Sequence, residues 1–84
     1  MAADLKGLIE TVARALADQP DAVSVRESER RGGTNYELQV ASGDLGRVIG
    51  RQGRTAAALR TLIASVAEDE RRVSLDIRDT QGGR

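Results

Sequence analysis

Residues 48–54, with the sequence V-I-G-R-Q-G-R, combine the residue types that a phosphate group requires for binding. Two glycines three positions apart permit a tight backbone turn with no side chain projecting from either Cα. Such a turn exposes main-chain N–H groups, and a helix that begins after it presents its positive dipole end; both favour a phosphate oxygen. Arg51 lies between the glycines, and Arg47 and Arg54 lie beside them, so charge-assisted hydrogen bonds can be added. This segment predicts a loop that binds a phosphate backbone.

The charge distribution supports this interpretation. The 84 residues have a net charge of zero, yet residues 45–67 contain four arginines and no acidic residue. A basic patch within an otherwise acidic chain attracts phosphate locally and limits indiscriminate binding. Arg60 belongs to this segment, and Arg30 and Arg31 precede it, but the sequence does not decide whether these three contribute to binding.

The composition also excludes several classes of site. The chain has no cysteine and no histidine, which removes thiolate nucleophiles, disulfides, and the commonest general base and metal ligand. No carboxylate pair stands out, so we expect no enzyme activity, no cofactor, no metal and no small-molecule substrate. There is no apolar run long enough for a membrane span or a signal peptide, so a cytoplasmic protein without membrane contact is expected.

Hydrophobic periodicity predicts the elements that position the loop. A first amphipathic helix is capped by Asp4 and ended by Pro20. Its apolar stripe is Leu5, Leu8, Ile9, Val12, Ala13 and Leu16. Alternating residues at 23–26 and 36–40 predict an antiparallel hairpin, with its turn at residues 30–33.

The second half of the chain predicts two helices and a strand. Asp44 can cap a short helix at about residues 45–49, and the glycine loop separates it from a helix at about 54–70. The predicted buried face of this longer helix is Leu59, Leu62, Ile63 and Val66. Residues 73–78 alternate as a third strand, which we expect to run parallel to the first through a right-handed connection.

These elements predict an α+β fold with the order α-β-β-α-α-β. Three helices cover one face of a three-stranded mixed sheet. We expect a single domain over residues 1–79 and a disordered tail over residues 80–84.

The segment at residues 49–54 resembles the I-G-x-x-G-K/R signature of KH domains, and the element order is that of the type II KH fold. The longer sequence G-R-V-I-G-R-Q-G-R at residues 46–54 resembles the small bacterial single-KH proteins of the KhpA family. The resemblance covers about residues 2–79. It implies an RNA-binding protein that acts as a homodimer or with a second KH protein of the Jag (KhpB) type. It also implies a role as an RNA chaperone or post-transcriptional regulator, with links to cell shape.

The resemblance also assigns roles to residues. Gly50, Arg51, Gln52 and Gly53 would contact the sugar-phosphate backbone of about four nucleotides of single-stranded RNA, with Arg47 and Arg54 flanking them. Val48, Ile49, Ala57 and the strand at Leu38, Gln39 and Val40, taken as an edge strand, would form the base groove. Gln39 would add hydrogen bonds to base edges.

Two other functions remain as alternatives. One is a KH fold used chiefly for protein association, with weak RNA binding, for which the alanine-rich start of the third helix is suited. The other is a DNA-binding element of the helix-hairpin-helix kind, which also places a glycine turn between helices. The absence of Phe and Trp argues against RNA-binding surfaces that stack bases on aromatic side chains.

Overall fold

The computed structural model describes residues 4–67 and 72–80 of the chain. The elements are α1 (Leu5–Leu16), β1 (Ser24–Arg30), β2 (Gly33–Val40), α2 (Leu45–Ile49), α3 (Arg54–Val66) and β3 (Arg72–Asp79). Single turns of 3-10 helix lie at Pro20–Ala22, Ser42–Asp44 and Arg51–Gly53. The predicted α+β class and the predicted element order are confirmed.

The central strand of the mixed sheet is β2, which pairs with β1 antiparallel and with β3 parallel. Our prediction that β3 runs parallel to β1 is wrong. The helical crossover leaves from the end of β2, so β3 returns in the direction of β2. It pairs on the side of β2 that β1 leaves free, and it therefore forms an open edge of the sheet.

All three helices pack on one face of the sheet, as predicted. This follows from strand alternation, which directs every second side chain to the same face. The buried core contains Leu5, Ile9, Ala13, Val25, Tyr36, Leu38, Val40, Val48, Leu59, Ile63 and Leu75. The opposite face carries polar residues such as Arg26, Glu37 and Asp76.

Two aspartates at helix N-termini have different roles. Asp4 caps α1 as predicted, because its Oδ1 accepts a hydrogen bond from the Gly7 N–H at 3.0 Å. Asp44 occupies the N-cap position of α2, but its side chain makes no capping hydrogen bond. It is buried and accepts instead from the main-chain N–H groups of Asp18 and Gln19, at 3.0 and 2.9 Å. Asp44 therefore ties the end of α1 to the start of α2.

The buried face of α3 is narrower than predicted. Leu59 and Ile63 are buried, but 42% of Leu62 and 37% of Val66 remain exposed. Neighbouring positions on a helix are about 100° apart, so Leu62 turns away from the sheet that Ile63 contacts. The two exposed residues, one helical turn apart, form an apolar flank of α3.

The third helix also ends earlier than predicted. It ends at Val66, since Ala67 has extended dihedral angles (φ −58°, ψ 133°). Continuing the helix would have placed three acidic residues, 68–70, at the negative end of its dipole. Residues 68–71 themselves lie outside the described residues.

The chain after β3 is described for one residue only. The Thr80 N–H donates to the Val40 oxygen at 2.9 Å, which continues the contact between β2 and β3. The rest of the predicted tail, residues 81–84, lies outside the described residues. In the described segments, no helix has the length and apolar character needed to cross a membrane.

Candidate nucleic-acid interface

The glycine loop has a backbone that only glycine adopts easily at both of its ends. Gly50 has φ +82° and Gly53 has φ +73°. A Cβ on Gly50 would overlap Thr55 Oγ1 and lie 2.9 Å from the Thr55 main-chain nitrogen, whereas a Cβ on Gly53 would meet open space. Gly50 is therefore required by both close packing and conformation, and Gly53 by conformation alone.

Gln52 also has a left-handed conformation, with φ +58° and ψ +24°. A non-glycine residue in this region has a higher backbone energy, by about 1 kcal/mol or more. Such conformations concentrate at functional sites. The loop therefore holds the Gln52 side chain outward, and this side chain is exposed.

The N-terminus of α3 opens directly onto this loop. Gly53 is the N-cap residue and has no side chain that could cap the first turn. The loop's own hydrogen bonds engage the N–H groups of Gly53 and Arg54, which donate to the oxygens of Gly50 and Arg51. The uncapped start of a 13-residue helix favours an anion at this position.

Of the four arginines in residues 45–67, the structure leaves two as unpaired cations beside the loop. Arg51 and Arg54 are exposed, and neither forms an ion pair with any described residue. Arg47 differs, because it pairs with Asp18 at 3.0 Å and with Asp44 at 3.6 Å. Its charge is compensated by two carboxylates, so Arg47 is a weaker candidate for a phosphate contact than Arg51 and Arg54.

The strand predicted to line the base groove does not do so. Leu38 and Val40 lie on the central strand, not on an edge, and both are fully buried beneath the helices. Val48 is also buried, with 1% of its surface exposed. Gln39 alternates with Leu38 and Val40, so it lies on the opposite, polar face of the sheet. These four residues therefore cannot form a groove together with the loop.

The open edge beside α3 is formed by β3. Arg60 reaches from α3 to this edge, where its Nε and Nη2 donate to the Leu75 main-chain oxygen at 3.2 and 3.1 Å. Because N–H and C=O groups of one residue in a strand point to the same side, Leu75 also directs its N–H outward. The N–H and C=O groups of Val73 and Ile77 share this outward direction.

Half-buried Ile49 and exposed Ala57 flank the loop on the same side of the sheet, the side that the helices cover.

Sequence reasoning left the role of Arg60 undecided and did not recognise β3 as an edge strand, for one reason. Recognising β3 as the edge required the order of the strands in the sheet. The element order of the sequence contained a signal for that strand order. A strand that follows a helical crossover pairs with the strand that the crossover leaves, and β1 already occupies the other side of that strand.

The described residues do not contain a candidate metal site. They contain no group of three acidic, cysteine or histidine side chains that could hold a metal ion.

Comparisons with known proteins identify similar proteins over most of the chain. The KH domain of the KhpA/KhpB family matches residues 6–77. The chain is 47% identical over 76 residues to the RNA-binding protein KhpA of Halalkalibacterium halodurans, covering 89% of this chain and 100% of that protein. It is 46% identical over 80 residues to the same-named protein of Lactiplantibacillus plantarum, covering 94% of each.

A third relative is the RNA-binding protein KhpA of Chlamydia trachomatis, with 42% identity over 74 residues, 87% of this chain and 95% of that protein. No solved structure gives a significant match. The matched region includes the glycine loop, both helices that flank it and most of β3.

Proposed function

The chain belongs to the KhpA/KhpB family of KH domains, and we propose that it binds single-stranded RNA through the loop at Gly50–Gly53. The loop would hold the sugar-phosphate backbone of about four nucleotides. The role is binding without a catalytic step, and we place it in the cytoplasm. The observation that supports the proposal is the loop itself, which has two glycines at positive φ, an uncapped helix start and two arginines without an ion-pair partner among the described residues.

The phosphate contacts come from Arg51, Arg54 and the main chain of the loop. A phosphate oxygen at the start of α3 is attracted by the helix dipole and accepts charge-assisted hydrogen bonds from either guanidinium group. Gln52 projects from the same turn and can donate through its amide. With Arg47 compensated, two arginines remain, and about two neutralised phosphates give a salt slope of roughly −1.4 for a single strand.

The bases lie on the surface between α3 and the edge of β3. Ile49 and Ala57 give apolar contact without an aromatic platform, and the outward N–H and C=O groups of β3 read base edges. Arg60 lies at this edge and adds donors beside Leu75. A single module with so few contacts should bind with micromolar or weaker affinity, about −8 kcal/mol or less favourable.

The test is an NMR titration of labelled protein with a short unstructured RNA. The wild type is compared with the double variant Arg51→Asp, Gln52→Asp, which keeps both glycines and places two carboxylates where phosphate should lie. We expect amide shifts to cluster at residues 49–57 and 73–77 in the wild type and to vanish in the variant.

A matched control carries the same charge change elsewhere. Lys6→Asp with Gln19→Asp also lowers the net charge by three, at two exposed positions. Position 6 lies in the first turn of α1, where a carboxylate is favourable. The proposal requires the control to bind like the wild type. Equal binding by the loop variant, or no shifts in the wild type, would refute it.

A second role, protein association, is favoured by the apolar flank of α3. Leu62 and Val66 are both more than a third exposed, and exposed Ala58 lies one turn before Leu62. We propose that this flank joins two copies of the chain, or one copy and a second KH protein of the Jag (KhpB) type. Joined modules would raise RNA avidity without any new contact. We propose that they act as an RNA chaperone or post-transcriptional regulator with links to cell shape.

The two roles use opposite sides of α3. At 100° per residue, Leu62 and Arg60 lie about 160° apart on the helix, with buried Leu59 and Ile63 between them. Association through Leu62 therefore leaves the Arg60 side open to RNA. The helix-hairpin-helix alternative is not retained, because such an element has no three-stranded sheet and the family match covers residues 6–77.

A further inference from the structure

Two arginines face each other across a glycine at one end of the sheet. In the strand register, Arg30 is opposite Gly33, and Gly33 is opposite Arg72. The three residues thus form one row across β1, β2 and β3. Residues in one row share a face, and strands are about 4.8 Å apart, so the two arginine Cα atoms are separated by about 10 Å.

The middle of this row has no room for a side chain. A Cβ on Gly33 would lie 2.6 Å from the Arg72 oxygen and 3.0 Å from the Arg72 Cβ. Glycine therefore lets β3 approach β2 closely and leaves a gap between the two long side chains. Together with Thr34, Val73 and Ser74, the row lines a shallow groove of about 360 Å³, and Arg31 borders it.

The charged residues that line this groove are all basic. Three of its seven lining residues are arginines and none is acidic. Among described residues, none of these three arginines forms an ion pair. The next row of the same face is neutral, since it consists of Ser28, Asn35 and Ser74, and the Ser74 hydroxyl donates to Asn35 Oδ1 at 2.6 Å. The nearest carboxylates of that face are a further row away. They are Glu37, which is paired with Arg78 at 3.0 Å, and Asp76.

We infer that Arg30, Gly33 and Arg72, the arginine cradle, bind a backbone phosphate of the same RNA outside the nucleotides held by the loop. Two guanidinium forks can approach one phosphate from both sides of the gap, with Arg31 adding charge. This inference rests on the proposed function, because it assigns the loop and the cradle to one strand of RNA.

The position of the cradle determines which part of the RNA it meets. Gly33 and Arg72 start β2 and β3, whereas the chain enters α2 from the other end of β2, after Val40. The cradle lies about 10 Å along β3 from Leu75 and on the polar face of the sheet, opposite the helices, so the RNA must pass round the β3 edge to meet it. Arg60 lies about 9 Å along α3 from Arg54. Four nucleotides bound at the loop do not need to reach it, so the cradle should act only on a longer RNA.

The test measures the affinity and salt dependence of two labelled oligouridines by fluorescence anisotropy. One has about four nucleotides, the length that a KH loop holds, and the other is roughly three times as long. Arg30→Gln with Arg72→Gln removes the two cradle charges. We expect the long RNA to bind this variant about tenfold more weakly at moderate salt, with a salt slope shallower by about 0.7, the value for one neutralised phosphate. Binding of the short RNA should not change.

A control variant, Arg14→Gln with Arg26→Gln, removes two exposed charges away from the cradle. If the control loses as much affinity for the long RNA as the cradle variant does, net charge is responsible and the inference is wrong. It is also wrong if both RNAs bind the wild type with the same affinity and slope. If the wild type binds neither RNA, the proposed function fails and the inference fails with it. An amide spectrum of each variant verifies its fold.

Discussion

The guanidinium group of Arg60 donates two hydrogen bonds to the main-chain oxygen of Leu75, from Nε at 3.2 Å and from Nη2 at 3.1 Å. This contact joins the middle of α3 to the middle of β3 at the open edge of the sheet. Arginine has five N–H donors, so three remain for other partners. Arg60 is therefore both a tie between two elements and a candidate ligand for a base.

Replacing Arg60 by Gln should separate these two roles. We expect the free energy of unfolding to fall by about 0.5–1.5 kcal/mol, the contribution of a typical hydrogen bond at a partly exposed position. We also expect RNA affinity to fall several-fold, because a donor beside the Leu75 edge is lost. Urea denaturation measures the first quantity and fluorescence anisotropy with a short RNA measures the second.

Arg60→Lys is the matched variant, since it keeps the charge and loses the planar fork. Affinity between those of the wild type and Arg60→Gln would assign part of the effect to the fork. If Arg60→Gln is less stable yet binds RNA as tightly as the wild type, Arg60 is a structural tie only.

The two loop glycines should respond differently to alanine. Gly53→Ala places a Cβ in open space at positive φ, so we expect a loss of about 1–2 kcal/mol from backbone conformation alone. Gly50→Ala has the same penalty and adds overlap with Thr55, so its loss should be larger. Thermal or urea unfolding of both variants gives the comparison.

A double variant tests the cause of the larger loss. Gly50→Ala with Thr55→Ala removes the Thr55 hydroxyl but leaves the Thr55 nitrogen 2.9 Å from the new Cβ. The structure therefore predicts little rescue. Full rescue would show that the hydroxyl, rather than the main chain, limits the space at Gly50.

Local patterns in the sequence predicted the elements and the loop well. The apolar stripe of α1, the alternation in the strands and the glycine spacing at residues 50–53 each depend on neighbours within one or two turns. Such patterns follow directly from helix and strand periodicity. For this reason the helix, strand and loop positions were predicted closely, apart from the end of α3 and the ends of β1 and β2 at the hairpin turn.

The errors concern relationships between distant residues. A charge count over residues 45–67 sees no acid, but folding brings Asp18 to 3.0 Å from Arg47. The same applies to Asp44, which a local pattern assigns to its own helix although its partners are 25 and 26 residues away. Strand order also depends on pairing between distant segments. The local pattern therefore could not show that the strand of Leu38 lies in the centre of the sheet, and the prediction placed the groove there.

Asp44 should contribute more to stability than its neighbour Asp18, although both pair with Arg47. Asp44 is buried and accepts two main-chain N–H groups, whereas the Asp18 side chain is 68% exposed. Asp44→Asn turns one acceptor into a donor that faces an N–H group, so we expect a loss of about 1–3 kcal/mol. Asp18→Asn should cost at most about 1 kcal/mol. Urea unfolding at neutral pH compares them, and equal losses would contradict the tie assigned to Asp44.

The last prediction concerns the oligomeric state and follows from the apolar flank of α3. Leu62→Ser with Val66→Ser removes two exposed apolar side chains without opening a cavity in the core, so the fold should be retained. If the flank joins two copies of the chain, the wild type should sediment as a dimer at high concentration and the variant as a monomer. Analytical ultracentrifugation measures both.

Leu16→Ser is the control variant, because Leu16 is 38% exposed at the end of α1, on a different helix from the flank. This variant should dimerise like the wild type. The monomeric flank variant should still bind a short RNA with unchanged affinity, since Arg60 and the loop lie outside the flank. Its binding to an RNA long enough for two modules should weaken, because the second binding event is no longer intramolecular. If the wild type stays monomeric at every concentration, self-association is refuted. The flank would then be a contact surface for a different KH protein.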